Sequence, residues 1–199
     1  MFKNKEQVMV VPVNYVSNIG NKFKFNENLT LQQSYCHYDS LGVYKPLYEI
    51  ENNICFIRIS TMLIIKNQYN EYLVKELHDK QKRPCLELGI HSYVKSQSGN
   101  YEAIYNQLIA STKNYFDVDL KFEYLGTIRD LANDNVKSIL GNVYIAEINK
   151  DDFILKTKHD LYENKWYSKQ ELIDKYNKAT SWSRIMIDLL VEDALDGYK

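Results

Sequence analysis

The side chains best suited to nucleophilic or metal chemistry in this chain are four histidines, His37, His78, His91 and His159, and three cysteines, Cys36, Cys55 and Cys85. Their spacing matches no Cys–His pair, Ser–His–Asp set or zinc-ligand pattern. An odd number of widely separated cysteines also fits no disulfide framework, so they read as reduced and mostly buried thiols. What remains is cationic and hydrogen-bonding rather than nucleophilic. His91, Tyr93 and Lys95 lie close together, Lys75 precedes them, and Arg58 interrupts an otherwise apolar stretch. Such groups donate hydrogen bonds or carry positive charge. Each also has an ordinary role. Lys75 and Lys95 read equally as solvated charges, His91 as a satisfied loop residue, Tyr93 as a core ring, and Arg58 as the partner of Glu49 or Glu51.

The elements that must position these groups belong to a chain of 199 residues, 45% hydrophobic and 26% charged, which suits one globular domain over residues 1–199. Within it an N-terminal strand and a Tyr- and Asn-rich segment occupy 1–50, and 54–195 form the core. A net charge of -1 sets up no field to attract a polyanion, which argues against duplex nucleic acid as a partner. The start, MFKNKEQVMVVPVNY, puts basic residues before an apolar run, but Val8 to Val13 is too short for a signal segment and has no small-residue cleavage site. No stretch reaches membrane-spanning length, so a soluble, cytoplasmic protein is expected.

With seven Gly and three Pro, turns must lean on Asn and Asp. Val8 to Val13 predicts a short buried strand, and residues 14–50 give no clear assignment. Ile54 to Ile65 is β-branched, and a polar turn at Lys66 to Asn70 separates it from Glu71 to Lys75, as in a β-hairpin. Ile104, Leu108 and Tyr115, widened by Ile109 and Phe116, predict an amphipathic helix between Tyr101 and Phe116. Lys121 to Ile128 and Ile139 to Ile148 then read as strands joined by the charged turn Asp130 to Asn135. Ser168 and Glu171 have capping-box spacing ahead of a short helix with Leu172, Ile173 and Tyr176. Trp182, Ile185, Met186, Leu189 and Leu190 give the last helix its core face. The order implies an α/β (α+β) domain, a mixed sheet with helices packed on it.

At Leu86-Glu-Leu-Gly89-Ile-His91-Ser-Tyr93-Val94 and the helix that follows, the sequence resembles the Nudix family. It is most similar to a branch of predicted phosphoesterases with a Gly-Ile-Gly-Gly-His loop and a C-terminal Glu-x-Trp-Ser helix. Val10-Val11-Pro12, Tyr124 to Ile128, Leu140 to Tyr144 and Ser181-Trp182-Ser183 agree in order, over roughly residues 6–192. The resemblance implies a Nudix-like mixed β-sheet sandwiched between helices. It also implies a Nudix box, whose first glycine is here Ser92. In that register Ser98 replaces a glutamate, Asn106 and Gln107 replace Arg-Glu, Ala110 and Ser111 replace Glu-Glu, and Lys113 replaces the last glycine.

Enzymes of that family hold Mg²⁺ or Mn²⁺ on the box glutamates, and the ions clamp a diphosphate and activate water. Hard cations need anionic oxygens. Ala110 offers none, and Gln107 and Ser111 offer only neutral ones, so loss of the metal is expected. The loop Gly-Gly-His has become His91-Ser92-Tyr93, which puts side chains where backbone would approach phosphate. Lys75 stands where relatives often have Arg.

Three functions follow. The first is a catalytically degenerate module that binds a nucleotide, nucleotide sugar or similar phosphorylated ligand through His91, Tyr93, Lys95, Lys75 and Arg58. The second is an interaction module, its cleft filled, whose many tyrosines meet a protein partner or a second copy. The third is a divergent phosphohydrolase using carboxylates outside the box, such as Glu87, Glu102, Asp130 or Glu147. Trp166 offers a ring for a nucleobase, although packing is the ordinary role of such a residue, and helical spacing already accounts for Trp182.

Overall fold

A computed structural model describes residues 6–13, 22–23, 42–50, 53, 55–77, 86–95, 103–113, 115–116, 118–130, 139–152 and 162–196. Its strands are β1 (Gln7–Pro12), β2 (Lys22–Phe23), β3 (Val43–Pro46), β4 (Phe56–Asn67), β5 (Glu71–Leu77), β6 (Leu86–Leu88), β7 (Ile90–Tyr93), β8 (Glu123–Ile128), β9 (Ile139–Ile148) and β10 (Tyr162–Ser168). Its helices are α1 (Leu47–Ile50), α2 (Ala103–Lys113), α3 (Lys169–Asp174) and α4 (Ser181–Asp196).

The long β-branched run becomes β4, and its near-continuous burial has a topological cause. One edge pairs in parallel with β9 from Arg58↔Ile139 to Asn67↔Ile148. The other edge is shared in turn by β1 at Val10↔Arg58, β7 from Ser60↔Tyr93 to Leu63↔Ile90, and β5 at Lys66↔Tyr72. A strand paired on both edges and covered on both faces reads as one apolar stretch rather than an alternation. The main path of the sheet runs β10-β5-β4-β9-β8-β2.

Side chains that alternate along β4 feed two cores. Ile57, Ile59, Leu63 and Ile65 join Ile104 and Leu108 of α2. Met62 and Ile64 join Met186, Ile187, Leu189 and Leu190 of α4. The mixed sheet is thus held between helices, as the order of elements predicts. A smaller cluster of Val8, Val10 and Ile50 lies under Phe56 and Tyr93.

Local chemistry sets the turns. Asn67 accepts from the backbone N–H groups of Tyr69 and Glu71 at 2.9 and 3.0 Å, and Asn70 adopts a left-handed φ of 60° between β4 and β5. Gly89, at φ +76°, separates β6 from β7. A Cβ there would lie 2.5 Å from the Leu63 carbonyl oxygen, so only glycine fits. Ser168 and Glu171 form the expected reciprocal cap on α3.

One expectation changes: Cys55 is exposed rather than buried. The stretch that gave no assignment contains β2, β3 and α1. The helix expected between Tyr101 and Phe116 is present, described from Ala103 to Lys113. Of the turn Asp130 to Asn135, only Asp130 falls among the described residues, as do none of Cys36, Cys85, His37, His78 and His159.

Candidate functional site

Three of the positions that the resemblance assigns to a Nudix box, Ser92, Gln107 and Ser111, meet where α2 packs on β7. Ile90 and Ser92 share the β7 face that looks toward α2, and Gln107 and Ser111, one helical turn apart, look back from it. Gln107 is 6% exposed and its amide is fully engaged. Nε2 donates to Ser92 Oγ at 2.7 Å and to Ser111 Oγ at 3.4 Å, while Oε1 accepts from the Lys95 backbone N–H at 3.3 Å. Ser111 Oγ donates in turn to the Gln107 carbonyl at 2.7 Å. Every member of this network is neutral. Asn106 is half-buried, Ala110 is exposed, and Ser98 and Glu102 lie outside the described residues.

Alternation sends His91 and Tyr93 to the opposite face of β7. Their rings meet edge to face at 5.3 Å, and the Arg58 guanidinium lies 5.4 Å from the Tyr93 ring centre. Arg58, only 9% exposed, is thereby stacked on an aromatic. Glu49, one of its expected partners, accepts from the Tyr48 hydroxyl, and Glu51 lies outside the described residues. Solvent reaches part of the His91 side chain, yet protein crowds the ring. That desolvation, reinforced by the charges of Lys75 and Arg58, pushes its pKa down to about 4.

The two lysines diverge. Lys75 sits 5.4 Å from the centre of the Tyr115 ring and 4.0 Å from Glu87, the outer limit of an ion pair. Lys95 turns to Glu6 at 2.6 Å, so its charge is partly compensated. The fold therefore gathers Arg58, Tyr93 and His91, brings Lys75 within electrostatic reach of His91, and engages Lys95 elsewhere. Tyr115, one of the helical stripe residues in the sequence, is the ring the fold brings to Lys75.

The alternative carboxylates are dispersed. Glu87 faces Lys75, Glu147 pairs with Lys66 at 3.1 Å, and Asp130 is buried near the end of β8. Among the described residues no three of His, Cys, Asp and Glu come close enough to hold an ion. Trp166 packs half-buried against the α2-side core with Lys150 5.9 Å from its ring centre, and Trp182 packs on the α4 side.

A polar chain unforeseen in the sequence crosses the neighbouring strands. Tyr124 and Thr127 share a hydroxyl–hydroxyl bond of 2.5 Å, and Thr127 Oγ1 donates to Asn142 Oδ1 at 3.0 Å. Thr61 Oγ1 donates to the Ser92 carbonyl at 3.3 Å. Its signal was polar residues breaking apolar strands, as Arg58 does.

Over 94% of its length this chain matches 99% of the crystal structure of Tm1382, described as a candidate Nudix hydrolase, with a TM-score of 0.77 at 20% sequence identity. The fold is Nudix-like. Lower likenesses include DR0079 from Deinococcus radiodurans, at 12% identity, TM-score 0.49, and coverage of 66% of this chain and 81% of that one. Another is the NUDIX domain of Shewanella oneidensis NrtR complexed with ADP ribose, at 10% identity, TM-score 0.47, and coverage of 69% and 88%. No protein-family model matches the sequence, and no curated protein matches it either. Within the Nudix-like fold no described helix is long and apolar enough to cross a membrane.

Proposed function

We propose that this Nudix-like domain binds a phosphorylated small molecule, of the nucleotide or nucleotide-sugar class, beside His91 on β7, without metal-dependent hydrolysis. The observation that carries the reading is the closed network of Gln107. At a position where Nudix enzymes carry a box glutamate, its amide is spent on Ser92, Ser111 and the Lys95 backbone. A divalent cation gives up hydration only to anionic oxygens that offset the loss. Gln107, Ala110 and Ser111 supply none, so this donor set does not fit Mg²⁺ or Mn²⁺.

In this reading, cationic side chains supply the charge that metal would have brought. Arg58 carries a planar fork suited to phosphate oxygens, and Lys75 acts as a point charge. His91 stays neutral at physiological pH because its pKa is near 4, and so offers one N–H without adding repulsion between cations. An anion arriving there favours the imidazolium and draws a proton onto the ring.

The test is a thermal-shift and NMR titration with ADP and with inorganic pyrophosphate, each with and without Mg²⁺. Stabilisation independent of the metal, with a rise in the His91 pKa, is the expected result. Release of phosphate or nucleoside monophosphate that requires Mg²⁺ overturns the reading. Absence of any stabilisation favours an interaction module instead.

A further inference from the structure

A groove of about 460 Å³ opens where β4 runs on beyond its pairing with β7, between the ends of β4, β8 and β9 and the helices α3 and α4, and no β7 residue lines it. Its size is that of a small-molecule pocket. Tyr72, Leu125, Ile145 and Leu190 supply apolar surface. Tyr72 is 8% exposed, and burial raises its hydroxyl above the usual phenol value, so it remains a neutral donor.

The rim is charged unevenly. Lys66 is matched by Glu147 at 3.1 Å. Lys169 donates to the backbone carbonyl of Leu190, a dipole and not a counter-ion. Among the described residues neither Lys169 nor Lys121 has a carboxylate partner, and Glu123 has no cationic one. Three lysines against two glutamates leave a net positive rim over an apolar floor.

We propose that this groove is a second ligand site, for a small amphipathic anion whose ring or short hydrocarbon body lies on Leu125, Ile145 and Leu190 and whose carboxylate or phosphate head is drawn to Lys121 and Lys169. The pairing of chemistries is what selects the ligand. An alcohol of the same body lacks the charge, and a bare phosphate lacks the surface to bury.

Amide NMR titration of the whole chain with hexyl phosphate, hexanoate, hexanol and inorganic phosphate tests it. Saturable shifts at residues 72, 125 and 145 with one or both amphipathic anions, leaving Ser92 and Gln107 still, are expected. Which anion saturates first identifies the head group. Hexanol and inorganic phosphate should bind about tenfold or more weakly, a difference near 1.4 kcal/mol. The exposed rim residues give tests of opposite sign that leave the core alone: Lys121→Gln weakens binding and Glu123→Gln strengthens it. Shifts confined to β7, affinity indifferent to both substitutions, or no saturation by either anion overturns the proposal. The first of these would still leave the β7 reading standing, and a failed β7 titration would leave the groove untouched.

Discussion

Gln107 on α2 and Ser92 on β7 are joined by a 2.7 Å hydrogen bond between neutral side chains, at the seam where helix meets strand. Gln107 is buried and Ser92 half-buried, so the bond is worth most as a satisfied pair. Gln107→Ala removes the donor to the Ser92 hydroxyl and strands the Lys95 N–H, and is expected to cost roughly 1–3 kcal/mol, read from urea denaturation. Pyrophosphate affinity at the His91 face should survive the change.

Charge at the same positions is expected to decide the response to metal. The melting temperature of the native chain should not move with added Mg²⁺. Placing carboxylates by Gln107→Glu, Ala110→Glu and Ser111→Glu together should lower stability without the ion, through mutual repulsion, and make it rise with Mg²⁺. A metal-dependent melting temperature in the native chain would count against the proposed function.

His91 makes folding sensitive to mild acid. Its folded pKa, about 4, lies below its ordinary 6.5, so the unfolded chain takes up a proton first as pH falls. The contribution is complete above 6.5 and is lost progressively down to about 4. Imidazole NMR titration gives the pKa directly, and His91→Gln should flatten the denaturation midpoint across that window.

A second acid-sensitive element sits at the β5–β10 pair. Glu76 accepts from Lys165 Nζ at 2.7 Å and from Tyr167 at 3.0 Å, with Lys175 3.9 Å away. The Lys165 bond is the chief cause holding its carboxyl below 4.5, ahead of the Tyr167 bond and the charges of both lysines. The stabilisation is therefore present above 4.5 and fades as pH falls through the depressed value. Glu76→Gln should lower the urea midpoint at neutral pH and make little difference in strong acid.

Two glycines should respond unequally to alanine. At Gly89 a left-handed φ of +76° combines with a Cβ 2.5 Å from the Leu63 carbonyl, a backbone atom that cannot step aside. At Gly141 the obstruction is the flexible end of Met62, 2.7 Å away. Gly89→Ala is expected to cost several kcal/mol and Gly141→Ala about 1–3, compared by thermal unfolding.

Much of the fold was legible because its signals are local. The β-branched run of β4, the capping box at Ser168 and the apolar stripe of α4 each state a preference within a few residues, and tertiary packing agrees with all three. The segment before β4 was harder: β3 is four residues long and draws its pairing from β1, far away in sequence.

The site divides along the same line. By itself the sequence determined that Gln107, Ala110 and Ser111 carry no charge and that His91, Tyr93 and Lys95 lie close together, since identity and spacing need no coordinates. Only the tertiary structure decided where those side chains point. The register of β7 on β4 turns Ser92 toward Gln107 and His91 and Tyr93 away from it, and a slip of one residue would reverse every one of those directions. Packing of distant strands likewise brings Arg58 over Tyr93 and turns Lys95 to Glu6. Those contacts are long-range, and no short window of sequence encodes the distance between two side chains that meet only when the sheet closes.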